Sequence, residues 1–146
     1  MTLEIPLHIL NQIHNHGESR YPEEGAGLLL GISDGELRMV TAILALPNIR
    51  EEGARQNRYL IDPHDMLRAE KDAREQGLEV LGVFHSHPDH PNLPSEYDLQ
   101  QAWPWLSYLI TSVQAGHAVG SRAWRLIEES SQFVAEPIQV FDAMDE

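Results

Sequence analysis

The sequence predicts an α/β (α+β) fold in which a single mixed β-sheet is flanked by helices. Apolar runs of strand length recur along the chain, whereas residues 6–16 and 63–77 carry apolar side chains at helical spacing. The chain has 146 residues and contains no internal repeat or linker. We therefore predict a single domain spanning residues 1–146, with helices packed on a curved sheet.

The first predicted element is a helix over residues 6–16, because its apolar residues recur at helical spacing. Gly17 stands where such a helix would end. His14 and His16 are two positions apart on this helix, so they point in different directions and cannot share a metal. We expect both imidazoles to be exposed.

A hairpin is predicted next. Residues 26–32 form a continuous apolar run, residues 33–35 read Ser-Asp-Gly, and a second strand follows over residues 36–46. Residues 47–58 are polar and rich in turn formers, which indicates a loop. A short strand over residues 59–61 is expected to end this loop.

The second predicted helix begins at Asp62 and ends at Gly77. Asp62 is a good N-cap residue, and Pro63 suits the first helical position. The apolar residues 78–84 then predict the central strand of the sheet. Pairing of this strand with residues 26–32 would bring Glu24 close to the residues that follow the central strand.

The second half of the chain is predicted to be rich in β-structure. A short helix should begin near Ser95 and end at the Trp103-Pro104 pair, because proline cannot continue a helix. We expect the three tryptophans to lie in the core or at its edge. Strands are predicted at residues 106–113, 121–127 and 132–140.

A candidate metal site follows the central strand. His85 and His87 are two residues apart, so an extended backbone places both imidazoles on one face of the sheet. Asp98 lies in the first turn of the next predicted helix. Two imidazoles and one carboxylate are three ligands for a divalent metal, with the fourth position left for water. That composition is typical of catalytic zinc sites, since structural sites are closed by four protein ligands.

The same residues also have an ordinary structural interpretation. Ser95 and Asp98 have the spacing of a capping box, which is a common helix start. A histidine pair in a loop is often merely solvated. The metal interpretation depends on the whole set of residues occurring together after a strong strand.

The motif resembles one known family. His85-Ser86-His87-Pro88, followed by Ser95 and Asp98, reproduces the His-x-His-Pro…Ser-x-x-Asp signature of the JAMM (MPN+) metalloproteases. The family's upstream Pro-x-Glu-x-x-Gly pattern is matched from Pro22 to Gly27, which makes Glu24 the matching glutamate. The compact, cysteine-free chain is most similar to the short stand-alone prokaryotic members.

The resemblance implies a fold, a cofactor and a reaction. It implies cytidine-deaminase-like layering of the sheet and helices, and one Zn²⁺ per chain held by His85, His87 and Asp98. It also implies that Glu24 moves the proton of the attacking water, and that Ser95 stabilises the developing oxyanion. The implied reaction is hydrolysis of a peptide or isopeptide bond after the C-terminal Gly-Gly tail of a ubiquitin-like, sulfur-carrier protein.

Two other functions stay open at this point. A non-catalytic MPN scaffold would bind partners without a metal, although such domains typically lose the histidines or the aspartate. A zinc hydrolase of another small amide would keep the same metal ligands. The sequence leaves open the identity of the ubiquitin-like partner, the kind of bond cleaved and the oligomeric state.

Charge and composition limit the partners. The net charge of −13 argues against nucleic-acid binding, because affinity for the phosphate backbone comes largely from Lys and Arg. Neither a signal peptide nor an apolar stretch long enough to span a membrane is visible. With no cysteine, a disulfide framework or a thiolate metal site is excluded. We expect a cytoplasmic protein.

Overall fold

The computed structural model describes residues 1–142 and contains one sheet of eight strands with helices packed against it. The helices are α1, α2 and α3, a 3₁₀ turn spans Glu52–Ala54, and the strands are numbered in chain order. The bounds are β1 Thr2–Pro6, α1 Leu7–Arg20, β2 Ala26–Asp34, β3 Leu37–Leu46, α2 Pro63–Glu75, β4 Glu79–Pro88, α3 Glu96–Gln101, β5 Ser107–Gln114, β6 His117–Ile127, β7 Gln132–Glu136 and β8 Ile138–Phe141.

The sheet is mixed, which confirms the predicted fold class. Its strand order is β7-β6-β5-β4-β2-β3-β1-β8. The interior strand β4 is antiparallel to β2 and parallel to β5. The two edge strands β7 and β8 are separated in sequence only by Pro137, so the sheet curls until its edges approach each other. The carbonyl of Pro137 also accepts a hydrogen bond of 2.9 Å from the Leu3 N–H.

Two apolar clusters cover the opposite faces of the sheet. On one face, Ile13 of α1 packs in a cluster with Phe84 of β4. On the other face, Ala69 of α2 packs in a cluster with Val83 of β4. Val83 and Phe84 are neighbours, and successive strand residues point to opposite faces. Burial of a side chain such as Phe84 stabilises the fold by about 1.5–3 kcal/mol.

The first helix differs from the prediction. It continues through Gly17 to Arg20, and the preceding strand β1 was not predicted. A Cβ at Gly17 would lie 3.2 Å from the Cβ of Ser86, so this glycine permits close packing of α1 on β4 rather than ending the helix. The prediction that His14 and His16 are exposed is wrong, because both are half-buried against the sheet.

Three other predictions need correction. Residues 59–61 do not form a strand. The strand predicted at 132–140 is two strands, β7 and β8, divided at Pro137, which has no N–H for pairing. Trp103 and Trp105 are 55% and 61% exposed and stack on each other, so they are not core residues. Trp124 is half-buried at the core edge, as expected.

Within residues 1–142, no helix combines the length and apolar character that crossing a membrane requires.

Candidate active site

The two candidate histidines lie at the end of the interior strand β4. His85 pairs with Ala26 of β2 on one side and with Ile110 of β5 on the other. Strand alternation directs the side chains of His85 and His87 to one face of the sheet, and both are buried. Their ring centroids are 5.1 Å apart, and their Nε2 atoms are 3.2 Å apart. The sheet therefore fixes the two imidazoles from both sides.

The start of α3 brings Asp98 to the same place. The Asp98 N–H donates to Ser95 Oγ at 3.0 Å, and the Ser95 N–H donates to Asp98 Oδ2 at 2.9 Å, which together form a capping box. The two carboxylate oxygens of Asp98 also lie 3.2 Å from His85 Nε2 and 3.0 Å from His87 Nε2. The Asp98 carboxylate can therefore cap α3 and face the two histidines at the same time, so the capping and metal interpretations are compatible.

The three donor groups have the spacing that a tetrahedral metal requires. The two Nε2 atoms are 3.2 Å apart, Asp98 Oδ1 lies 3.2 Å from that of His85, and Asp98 Oδ2 lies 3.0 Å from that of His87. Zinc with ligand distances of about 2.0–2.1 Å gives ligand–ligand edges of roughly 3.3 Å in a tetrahedron. His85, His87 and Asp98 therefore fit a single zinc ion.

A backbone carbonyl orients one of these ligands. The Pro91 carbonyl oxygen lies 2.8 Å from His87 Nδ1. Because a carbonyl oxygen can only accept, Nδ1 carries the proton and the lone pair of Nε2 points toward the other donors. This is the usual arrangement of a metal-binding histidine.

A tyrosine that no sequence pattern singled out orients the other candidate ligand. The ring of Tyr59 stacks on His85 with a centroid distance of 4.3 Å and an interplanar angle of 24°. Tyr59 is buried, although it comes from the long segment between β3 and α2 rather than from a strand. Its position depends on how that segment folds back over the sheet.

The directions of the pKa shifts of His85 and Asp98 also suit a metal. Burial lowers the pKa of His85, which keeps its imidazole neutral. Burial opposes ionisation of Asp98, but the histidines and the Ser95 N–H hold the pKa of this carboxyl well below its usual range. Neutral imidazoles and an ionised carboxylate are the forms that bind a divalent cation.

Glu24 lies just before β2 and faces the two histidines. One of its carboxylate oxygens is within 4.8 Å of ligand nitrogens of His85 and His87. The side chain is 4% exposed, and its Oε1 has no hydrogen-bond partner. Burial, with a smaller contribution from the charge of Asp98, raises the pKa of Glu24 to about 9. Glu24 and the histidines form a buried group that could hold or serve a metal ion.

The main chain next to Glu24 is attached to β4 by the residue between the two histidines. The Gly25 N–H donates to Ser86 Oγ at 2.8 Å, and the Ser86 N–H donates to the Gly25 carbonyl at 3.0 Å. Ser86 therefore fixes the position of Glu24 relative to the strand that carries the imidazoles. In the sequence, Ser86 was noted only as the residue between the two motif histidines, and no pattern indicated its contact with Gly25.

An open cleft of about 470 Å³ gives access to these groups. Glu24, Arg58, His87 and Tyr97 line it, together with Ser95. Ser95 is exposed, and its Oγ accepts from the Asp98 N–H, so its own O–H can donate into the cleft. The structure thus brings all five predicted site residues to one cleft or to its buried wall.

A curled mixed sheet with a buried two-histidine, one-aspartate donor set defines the class of this protein. The family described as prokaryotic homologs of the JAB domain matches residues 6–127. The chain belongs to this family, which confirms the resemblance to JAMM proteins drawn from the motif.

Two relatives are named as a conjugate-cleaving protease and as a desampylase. The chain is 34% identical over 110 residues to a "Probable TtuB-protein conjugate cleaving protease" of Thermus thermophilus, covering 75% of this chain and 70% of that protein. It is 32% identical over 131 residues to a desampylase of Pyrococcus furiosus, covering 88% of this chain and 84% of that one.

Two solved structures share the fold. A solution structure from Desulfitobacterium hafniense matches with a TM-score of 0.84 and 30% identity, covering 96% of this chain and 93% of that chain. A second, from Salinibacter ruber, has a TM-score of 0.74 and 42% identity over 96% and 92% of the two chains.

Proposed function

We propose that this protein is a zinc-dependent peptidase or isopeptidase that cleaves after the C-terminal Gly-Gly tail of a ubiquitin-like, sulfur-carrier-type protein. The observation that carries the proposal is the buried donor set of His85, His87 and Asp98 facing the carboxylate of Glu24. We assign one zinc ion per chain to the three donors.

The metal supplies the electrophile. A zinc ion held by His85, His87 and Asp98 would polarise the scissile carbonyl and lower the pKa of a water molecule toward neutrality. Neither a covalent intermediate nor a thiol is needed, which is consistent with the absence of cysteine.

Glu24 moves the proton. Its carboxylate takes a proton from the attacking water and returns it to the leaving amine. In the metal-free protein burial raises the pKa of Glu24 to about 9, which keeps its carboxyl protonated at neutral pH. The positive charge of a bound zinc ion would lower this pKa, so that the carboxylate is ionised and can accept the proton. Proton transfer of this kind contributes about 10²–10⁴-fold to the rate.

Ser95 stabilises the developing negative charge. The Oγ of Ser95 is already an acceptor for the Asp98 N–H, which leaves its O–H proton for the oxyanion. Removal of one such donor typically costs about 3–4 kcal/mol of transition-state stabilisation. The helix cap fixes the oxygen of this hydroxyl.

The names of the relatives support the substrate class. One is named for cleaving conjugates of TtuB, and another is a desampylase. A Gly-Gly tail lacks side chains, so it can enter a narrow site in an extended conformation. The open cleft of about 470 Å³ beside Glu24 and Ser95 can accept such a segment.

A cleavage assay tests the proposal. A fusion in which TtuB is followed by a Gly-Gly tail and a short peptide is incubated with the zinc-loaded protein, and the products are identified by intact mass. We expect a single cut after the second glycine, its loss on chelation, and its loss in Glu24→Gln. An intact fusion in the presence of bound zinc, with an isopeptide-linked conjugate also intact, would contradict the proposal.

A further inference from the structure

We propose that Asn48 is a positioning residue that fixes the main chain of Glu24. It does so by tying residues 47–61, called the strap below, across the site. This inference rests on the proposed function for its activity measurement, whereas its hydrogen-exchange measurement does not depend on that function. Asn48 lies outside the metalloprotease motif, and it follows β3 by two residues.

The side chain of Asn48 makes hydrogen bonds in two directions. Its Nδ2 donates to the carbonyl oxygens of Glu24 and Arg58, each at 3.0 Å. Its Oδ1 accepts from the backbone N–H groups of Arg50 and Leu60, each at 3.1 Å. Because backbone carbonyls only accept and backbone N–H groups only donate, the orientation of the amide group is unambiguous.

The strap contacts Glu24, His85 and α3. The Arg55 carbonyl accepts from the Glu24 N–H at 2.6 Å. The Tyr59 ring stacks on His85, and the Tyr59 carbonyl accepts from the Tyr97 hydroxyl at 2.8 Å. Tyr97 directly precedes Asp98 in α3. One segment without regular pairing therefore touches the proton-transfer residue, one candidate ligand and the helix that carries another.

The carboxylate of Glu24 depends on this support. Its Oε1 has no hydrogen-bond partner, so its side chain is placed by packing and by its main chain. On one side that main chain is fixed to β4 through Gly25 and Ser86. On the other side it is fixed to the strap through Asn48 and Arg55. A loosened strap would leave Glu24 attached on one side only.

The Asn48→Asp substitution separates the two functions of this side chain. An aspartate can still accept from the Arg50 and Leu60 N–H groups, so the strap keeps these two internal bonds and loses only the one to the Arg58 carbonyl. It cannot donate, and it places a negative charge against the Glu24 carbonyl. Asn48→Ala removes both sets of bonds. Asn11→Asp, an exposed position on α1, is the matched control for the change in charge.

The experiment measures kcat, KM, zinc content and amide hydrogen exchange for all four proteins, with the TtuB–peptide fusion as substrate. For Asn48→Asp we expect kcat to fall by about 10- to 100-fold, because a small displacement of a catalytic group can lower the rate by this much. KM and the zinc content should stay close to those of Asn11→Asp. The Glu24 amide should exchange about tenfold faster, because its hydrogen bond to the Arg55 carbonyl depends on the position of the strap.

Several outcomes would overturn the inference. One is an unchanged kcat in Asn48→Asp. Another is a combined loss of zinc, rise in KM and loss of overall stability, which would show that Asn48 supports the fold as a whole. If both Asn48 variants unfold, amide hydrogen exchange of the wild-type protein tests the inference. Its Glu24 and Leu60 amides should be protected together, and rapid exchange of the Glu24 amide would contradict the proposal. If the wild-type protein cleaves nothing, the proposed function fails while the exchange measurements still test Asn48.

Discussion

Replacing Glu24 by glutamine should change how the stability of the metal-free protein depends on pH. Burial raises the pKa of Glu24 from an ordinary 4.5 to about 9 in the folded protein. Between these values the folded state holds a proton that the unfolded chain has released. The stabilisation from this proton is complete below pH 4.5 and is lost as the pH rises toward 9. Glutamine keeps the shape of the protonated acid and has no proton to lose.

The magnitude follows from the size of the shift. Each pH unit in this interval lowers the free energy of unfolding of the wild-type protein by about 1.4 kcal/mol relative to Glu24→Gln. Between about pH 5.5 and about pH 7.5 the stability advantage of the variant should therefore grow by about 3 kcal/mol. All other titrating groups are common to both proteins and largely cancel in the difference.

Urea denaturation in the presence of a chelator measures this quantity at several pH values. Glu70→Gln, at an exposed position on α2, is the matched control for removal of one negative charge. An advantage of Glu24→Gln that is the same at every pH would refute the reasoning. So would a wild-type protein that becomes more stable than the variant as the pH rises.

Further substitutions probe the other residues of the site and the sheet. Glu24→Gln should retain zinc by elemental analysis while turnover of the TtuB–peptide fusion falls by about 10²–10⁴-fold; loss of zinc would instead make Glu24 a ligand. Asp98→Ala should lower zinc occupancy, and a variant that still binds one zinc per chain would remove Asp98 from the ligand set. Ser95→Ala should reduce turnover with zinc retained and lower the free energy of unfolding by about 1 kcal/mol; unchanged turnover would leave Ser95 as a cap only. Gly27→Ala should destabilise the fold by about 1–3 kcal/mol in urea denaturation, because an added Cβ would lie 2.4 Å from the Phe84 ring and 2.5 Å from the Leu44 carbonyl; unchanged stability would show that the sheet can yield there.

Local patterns predicted the parts of the fold that depend on neighbours in sequence. The apolar run before His85 predicted β4, and the Asp62-Pro63 pair predicted the start of α2. The mixed sheet is confirmed, whereas a single domain over residues 1–146 stays a prediction. The helix end predicted at Gly17 was wrong, because close packing of α1 against β4 requires a glycine at a position where sequence rules expect a helix end.

The candidate site was predictable where its chemistry follows a fixed spacing. His85, His87 and Asp98 were found because the set occurs in one short span after a strong strand and matches a known motif, although their roles stay predictions. Asn48 and Tyr59 were not found. Their contacts join residues far apart in the chain, and no local pattern reports how an unpaired segment folds back on a sheet.

Because the two histidines lie on an interior strand, the geometry of the candidate metal site depends on the hydrogen-bond register of the sheet. Strand β4 has a partner on each side, so sliding it by one residue would break two ladders at once. The same slip would turn both imidazoles toward α1 and leave Asp98 facing Ser86 instead. Partial opening of the protein at its curled edges, β7 and β8, can therefore occur without separating the two histidines from Asp98, whereas loss of pairing at β4 would separate them.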